Sequence, residues 1–177
     1  MVNQKTRRMV MAALLAALTT AATMVIRIPT PTLGYIHLGD SMVLICGILL
    51  GPGLGAAAAG IGSMLADLFS GFTAWAPGTF AIKALTALVG GSLYRLCLKR
   101  EHISPPLRVI LCGIPAEAVM VAGYFLYEVG MMALAGSDLS AAATAVLAGV
   151  PFNVVQGLTG IVVGVVLLPV LSHAGAG

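Results

Sequence analysis

No charged residue interrupts the chain from Met9 to Ile26. An apolar run of that length is what a helix needs to cross a hydrocarbon layer about 30 Å thick. The rest of the chain has the same character. Its 177 residues include nine basic and six acidic side chains, or 8% charged, and 59% are hydrophobic. Soluble domains carry roughly 25% charged residues, so this chain could not cover a water-facing surface. Disorder requires the opposite composition. The sequence therefore predicts an integral membrane protein, with a length suited to about five to seven spans. Lys5, Arg7 and Arg8 ahead of the first run also fit a secretory leader, but the run is long enough to span.

Apolar runs and turn residues place six spans, at about 9–28, 39–50, 54–70, 77–96, 107–135 and 146–170, within one all-α domain covering 1–177. The second is short and ends at Gly51-Pro52-Gly53. Residues 54–64 are small enough for neighbouring backbones to approach closely. Lys5, Arg7, Arg8, Arg95, Lys99, Arg100 and Arg108 fall on one side of this arrangement, and only Arg27 falls on the other. The positive-inside bias predicts a multi-pass membrane protein with both termini cytoplasmic. Pro29–Leu38, Gly71–Ala76 and Gly136–Ala145 are then outer loops.

Charged groups within spans are costly and point to function. Asp67, Lys83, Glu117 and Glu128 occupy such positions. Asp67 and Lys83 fall in the outer half, close enough to interact if their spans form a hairpin. Glu117, Tyr124 and Glu128 follow spacings of seven and four and share one helical stripe. Asn153 and Gln156 share a face of the last span. Tyr35, His37 and Trp75 lie in outer loops above them. Such a set suits a small, flat, polar molecule, with rings to stack it and polar groups to fix its edge. Each residue also has a structural reading. Asp67 and Lys83 could neutralise one another, Glu128 could be an interfacial carboxylate, and Asn153 and Gln156 could join helices. Tyr124 and Trp75 could be belt aromatics, and Asp40 could cap its helix.

Several chemistries are excluded. The net charge of +3 forms no basic stripe, so nucleic acid is not expected as a partner. Cys46, Cys97 and Cys112 form no C-x-x-C pair and lie in apolar runs, as buried structural cysteines do. Gly55–Gly60 has phosphate-loop spacing but lacks the following Lys-Ser/Thr. Ser63 has no histidine in any span to serve as its base. His37, His102 and His173 are scattered, so no metal site is expected. These readings predict neither an enzyme nor a bound cofactor.

Ala12/Ala16 and Ala13/Ala17 form two overlapping small-x-x-x-small pairs, a smooth face for close helix crossing or for generic packing. With Tyr35-Ile-His-Leu-Gly-Asp40, Leu50-Gly-Pro-Gly-Leu-Gly55, the segment Gly60–Gly71 and Pro77-Gly-Thr-Phe-Ala-Ile-Lys83, they give the chain its likeness to a known family. Over residues 7–171 it resembles the S component, the substrate-binding membrane subunit, of an energy-coupling factor (ECF) vitamin transporter. The branch it most resembles takes hydroxymethylpyrimidine or pyridoxine; pantothenate, thiamine and riboflavin members share the architecture.

The resemblance implies six helices, an outward-facing vitamin pocket and a lid at Pro29–Leu38. It implies transport with a membrane-coupling T component and two ATPases, which use the ATP. It places Ala12, Ala13, Ala16 and Ala17 at the T-component interface. Lys83, Glu117, Tyr124, Asn153 and Gln156 become substrate-binding candidates, followed by Asp67, His37 and Trp75. A self-sufficient proton-coupled carrier and a non-transporting membrane scaffold are the alternatives.

Overall fold

A computed structural model of the chain describes residues 3–29 and 35–174. The order of elements is α1 (Gln4–Val25), β1 (Arg27–Pro29), β2 (Tyr35–His37), α2 (Gly39–Leu50), α3 (Pro52–Ser70), α4 (Ala76–Leu98), α5 (Pro105–Leu134), α6 (Leu139–Leu147) and α7 (Val150–Ala174). Helices α1, α3, α4, α5 and α7 are long and apolar enough to cross a membrane. Helix α2, at 12 residues, rises about 18 Å and is too short to span alone. It lies in the middle of the bundle instead, packed against α1, α3, α4 and α7. Val43, Leu44, Ile45 and Cys46 are fully buried there. With other helices on every side, α2 has no polar face.

Small residues set how closely the helices approach, as the glycine- and alanine-rich run predicts. Thr20 of α1 donates its hydroxyl to the Gly62 carbonyl of α3 at 2.8 Å, so these two backbones nearly touch. Gly47 of α2 faces the Ala87 carbonyl and Gly91 of α4, and a Cβ on Gly47 or on Gly91 would collide with the opposite backbone. Backbone cannot give way as a side chain can. Gly91→Val is therefore expected to destabilise the bundle by about 1–3 kcal/mol, the usual range for an overpacked core. Thermal melting in detergent should show the loss, and Gly53→Ala should show almost none, because none of the described residues lies within 4 Å of a Cβ at that position.

The turn between α2 and α3 needs glycine at Gly51, where φ is +85°. Pro52 opens α3 at a position where its missing N–H costs nothing. Arg8 donates to the Leu50 carbonyl at 3.3 Å, and the Arg95 guanidinium lies beside Gly51. Arg108 donates to the Arg100 carbonyl in the α4–α5 connection. Basic side chains thus gather at one end of the bundle.

The opposite end differs from the sequence expectation in two places. The segment expected as the loop Gly136–Ala145 contains most of α6. Asp138 accepts from the backbone N–H groups of Ser140 and Ala141, which caps a short Ala-rich helix too brief to span. Ala142 and Val146 of α6 pack on Val129 and Phe125 of α5. The final span accordingly starts at Val150 rather than Val146. The expected lid Pro29–Leu38 begins and ends in a small antiparallel hairpin, β1 pairing with β2 through Ile28 and Ile36. Residues 30–34 of that lid lie outside the described residues.

Candidate functional site

Strand β2 lies across the end of the bundle and lines a cavity of about 30 Å³. Its walls come from β2 (Tyr35, His37), α3 (Asp67), the α3–α4 turn (Phe72, Trp75), α4 (Thr79), α5 (Tyr124, Glu128) and α7 (Asn153, Gln156). One wall is aromatic. The Tyr35 and Phe72 rings stand 4.7 Å apart, and Phe72 meets Trp75 edge-on at 5.9 Å. Gly71 ends α3 in a left-handed conformation and turns the chain so that Phe72 and Trp75 face β2. The indole N–H of Trp75 is buried and has no hydrogen-bond partner among the described residues.

Two polar connections hold β2 in place. The Tyr35 hydroxyl donates to Asp67 at 2.7 Å. The His37 backbone N–H donates to the Gln156 side-chain carbonyl at 2.9 Å, while the Gln156 amide donates to Asp40 at 2.7 Å. The other Asp40 oxygen forms an ion pair with Lys83, and neither side chain is exposed. Lys83 lies beneath Tyr124, its ammonium 5.1 Å from the ring centroid. The Tyr124 hydroxyl in turn donates to Thr79 at 3.1 Å. The strand is therefore joined to α3 at one end and, through Gln156, to α7, α2 and α4 at the other.

His37 is an acceptor here. Its Nδ1 accepts from the Gly39 N–H at 2.9 Å, which leaves the proton of the neutral ring on Nε2. Burial, reinforced by the nearby Lys83 ammonium, pushes its pKa down to about 3. Burial and the bond to Asp67 push the Tyr35 phenol up, so it remains a donor. Because folding lowers the His37 pKa, the unfolded or undocked strand binds the extra proton first. Docking of β2 should therefore be fully favourable above the ordinary histidine pKa of about 6.5 and weaken as pH falls from there towards 3. Hydrogen exchange at the amides of residues 35–37, corrected for intrinsic rates, should rise between pH 7 and pH 5, and His37→Phe should remove that dependence.

Six of the eight expected binding residues meet at this cavity: His37, Asp67, Trp75, Tyr124, Asn153 and Gln156. Lys83 and Glu117 lie outside it. Lys83 pairs with Asp40 rather than with Asp67, because the buried α2 brings its first carboxylate against α4. Asp40 does not cap its helix; both its oxygens serve Lys83 and Gln156. Glu117 shares the helical face of Tyr124 and Glu128, but seven residues place it about 10 Å further along the axis. It borders a separate apolar cleft between α5 and α7, lined also by Ile114, Val121 and Leu158. Neither of its carboxyl oxygens has a hydrogen-bond partner among the described residues. The cavity also includes Tyr35, Phe72, Thr79 and Glu128. Thr79 had a legible signal, since it lies one helical turn from both Trp75 and Lys83. Phe72 had none.

The alanine pairs separate. Ala12 is buried, and Ala16 packs its backbone against Gly62. Ala13 and Ala17 are exposed, alongside Val10 and Leu14.

A family model described as the ECF-type riboflavin transporter, S component, matches residues 3–173. The chain belongs to this family. It is thus the substrate-binding subunit of an ECF transporter, a multi-pass membrane protein and not an enzyme. The S-component fold agrees with a solved structure described as the S component of a bacterial ECF transporter. The two are 20% identical with a TM-score of 0.68, covering 96% of this chain and 98% of that one. A Pyrococcus woesei protein described as an uncharacterized protein in gap 3'region is 38% identical over 106 residues, 59% of this S component and 67% of that protein. The family description names riboflavin, and none of these matches supports the hydroxymethylpyrimidine or pyridoxine branch expected from the sequence.

Proposed function

We propose that this S component captures a small, flat, heteroaromatic vitamin in the cavity beneath β2, at the outer face of the membrane. The single observation that carries the reading is the aromatic wall of Tyr35, Phe72 and Trp75 in one cavity with Glu128, Asn153 and Gln156. Rings hold a flat molecule by its faces, and the buried Trp75 N–H, without a partner among the described residues, and the amides suit its polar edge. Riboflavin is the first reading, because the family description names it. The small cavity favours a second one, a single-ring vitamin such as pyridoxine or hydroxymethylpyrimidine, since about 30 Å³ holds little more than a water or two until β2 moves.

Gathering of Arg8, Arg95, Arg100 and Arg108 at the end away from the cavity supports cytoplasmic termini and outward capture. Delivery inward would use a T component and two ATPases. Ala13 and Ala17 are the two of the four expected interface alanines that are exposed on α1 and open to such a partner. Mass spectrometry of the ligand co-purified with the protein, followed by calorimetry against B vitamins and their precursors, tests the reading. Submicromolar binding of one flat heteroaromatic vitamin without ATP is expected. Binding of none of them would contradict it.

A further inference from the structure

We propose that Gln156 is a positioning residue: it docks β2 on the bundle, its direction is set from below by Asp40 and Lys83, and through the strand it governs how long the vitamin stays. This rests on the vitamin-binding reading and deepens it. Gln156 lines the cavity, yet both ends of its amide are already engaged. The side-chain carbonyl accepts from the His37 backbone N–H at 2.9 Å, and the amide nitrogen donates to Asp40 at 2.7 Å. Only one direction of the amide satisfies both neighbours. A backbone N–H can only donate, so it must face the oxygen. Asp40 is a carboxylate paired with Lys83, so it can only accept and must face the nitrogen. All four residues are buried, so a bond lost here leaves a polar group that water does not readily satisfy.

The bond to β2 is made to main chain, so the side chain at position 37 does not specify it. His37 stands two residues before Gly39, where α2 begins, and holding its N–H fixes the strand against the central helix. Tyr35, two residues back on the same strand, then meets Phe72 in the aromatic wall. Asn153, one turn earlier on α7, has no side-chain hydrogen bond among the described residues and is the α7 amide left for the ligand. A cavity of about 30 Å³ admits a vitamin only when β2 moves, so a strand held less firmly should release its ligand faster.

Asp40→Asn tests this from outside the cavity walls. With its carbonyl turned to Lys83, the new amide would present its NH₂ to that of Gln156, donor against donor. Gln156 could then no longer serve both neighbours. Adding Gln156→Glu restores the chain at the same net charge: position 40 donates to the new carboxylate, which still accepts from His37. In the vitamin-free protein, exchange of the His37 amide hydrogen should be about tenfold faster or more in Asp40→Asn and in Gln156→Met, and close to the parent rate in the double variant. Release of riboflavin or pyridoxine, whichever binds, should follow the same order. Circular dichroism checks that the variants remain helical; should Asp40→Asn fail to fold, Gln156→Met and the double variant decide. Unchanged His37 exchange in Gln156→Met, or a double variant that exchanges as fast as Gln156→Met, would overturn the inference and leave the vitamin reading standing. Faster exchange with unchanged release would overturn the link to the ligand. If neither vitamin binds, the vitamin reading falls and takes that link with it.

Discussion

Lys83→Met should destabilise the protein by about 3–5 kcal/mol, the range measured when one partner of a buried ion pair is removed. The reason is what remains. Asp40 would keep a carboxylate with no exposure to water and only the Gln156 amide to satisfy it. The pair itself need not stabilise the fold, since desolvation offsets much of its attraction. Replacing both residues, Lys83→Met with Asp40→Leu, should therefore recover most of the loss. Thermal melting in detergent, run as a double-mutant cycle, separates these terms. A single-variant loss no larger than that of an ordinary surface change, about 0.5 kcal/mol, would mean that the two groups are not buried together. The variant should also loosen the cavity from below, because Asp40 positions Gln156, and Gln156 holds the His37 backbone.

Trp75→Ala should weaken vitamin binding by about 1–3 kcal/mol, the usual value of one aromatic stacking contact on a heteroaromatic ring. Stability should change little, because the side chain is only partly buried and stands at a turn. Trp75→Phe separates its two contributions. It keeps a stacking surface and removes the N–H that has no hydrogen-bond partner among the described residues, so binding should fall to an intermediate level. Equal loss in both variants would assign the effect to the N–H, and no loss in either would remove Trp75 from the binding surface. Calorimetry on the two variants and the parent chain makes the comparison.

The scarcity of charge and the apolar runs made the membrane and six of the seven described helices legible. Turn residues such as Gly51-Pro52-Gly53 then fixed where α2 meets α3. The small residues of α3 showed where backbones touch. Pairing across the bundle was a different matter. Lys83 and Asp40 are 43 positions apart, and nothing in their local spacing reveals that α2 is the central helix. Adjacency in the chain favoured Asp67 as the lysine's partner, and adjacency was the wrong guide. Periodicity likewise placed Glu117 on the face of Tyr124 and Glu128 but could not say that the cavity floor lies above it. Helix α6 was missed because seven of its nine residues, 139–145, fall in the expected outer loop and the last two in the expected final span, until Asp138 is recognised as a cap. The aromatic wall was half legible: Tyr35 and Trp75 stood out by residue type, whereas Phe72 depends on the turn at Gly71.

Trp75 is the only tryptophan in the chain. Its fluorescence, titrated with riboflavin and with pyridoxine and corrected for the vitamins' own absorption, reports directly on the cavity. Saturable one-to-one quenching by one of them, with a Kd below about 1 μM, is the predicted result. Tight binding seen by calorimetry while Trp75 fluorescence stays unchanged would place the ligand elsewhere and contradict the assignment of this cavity.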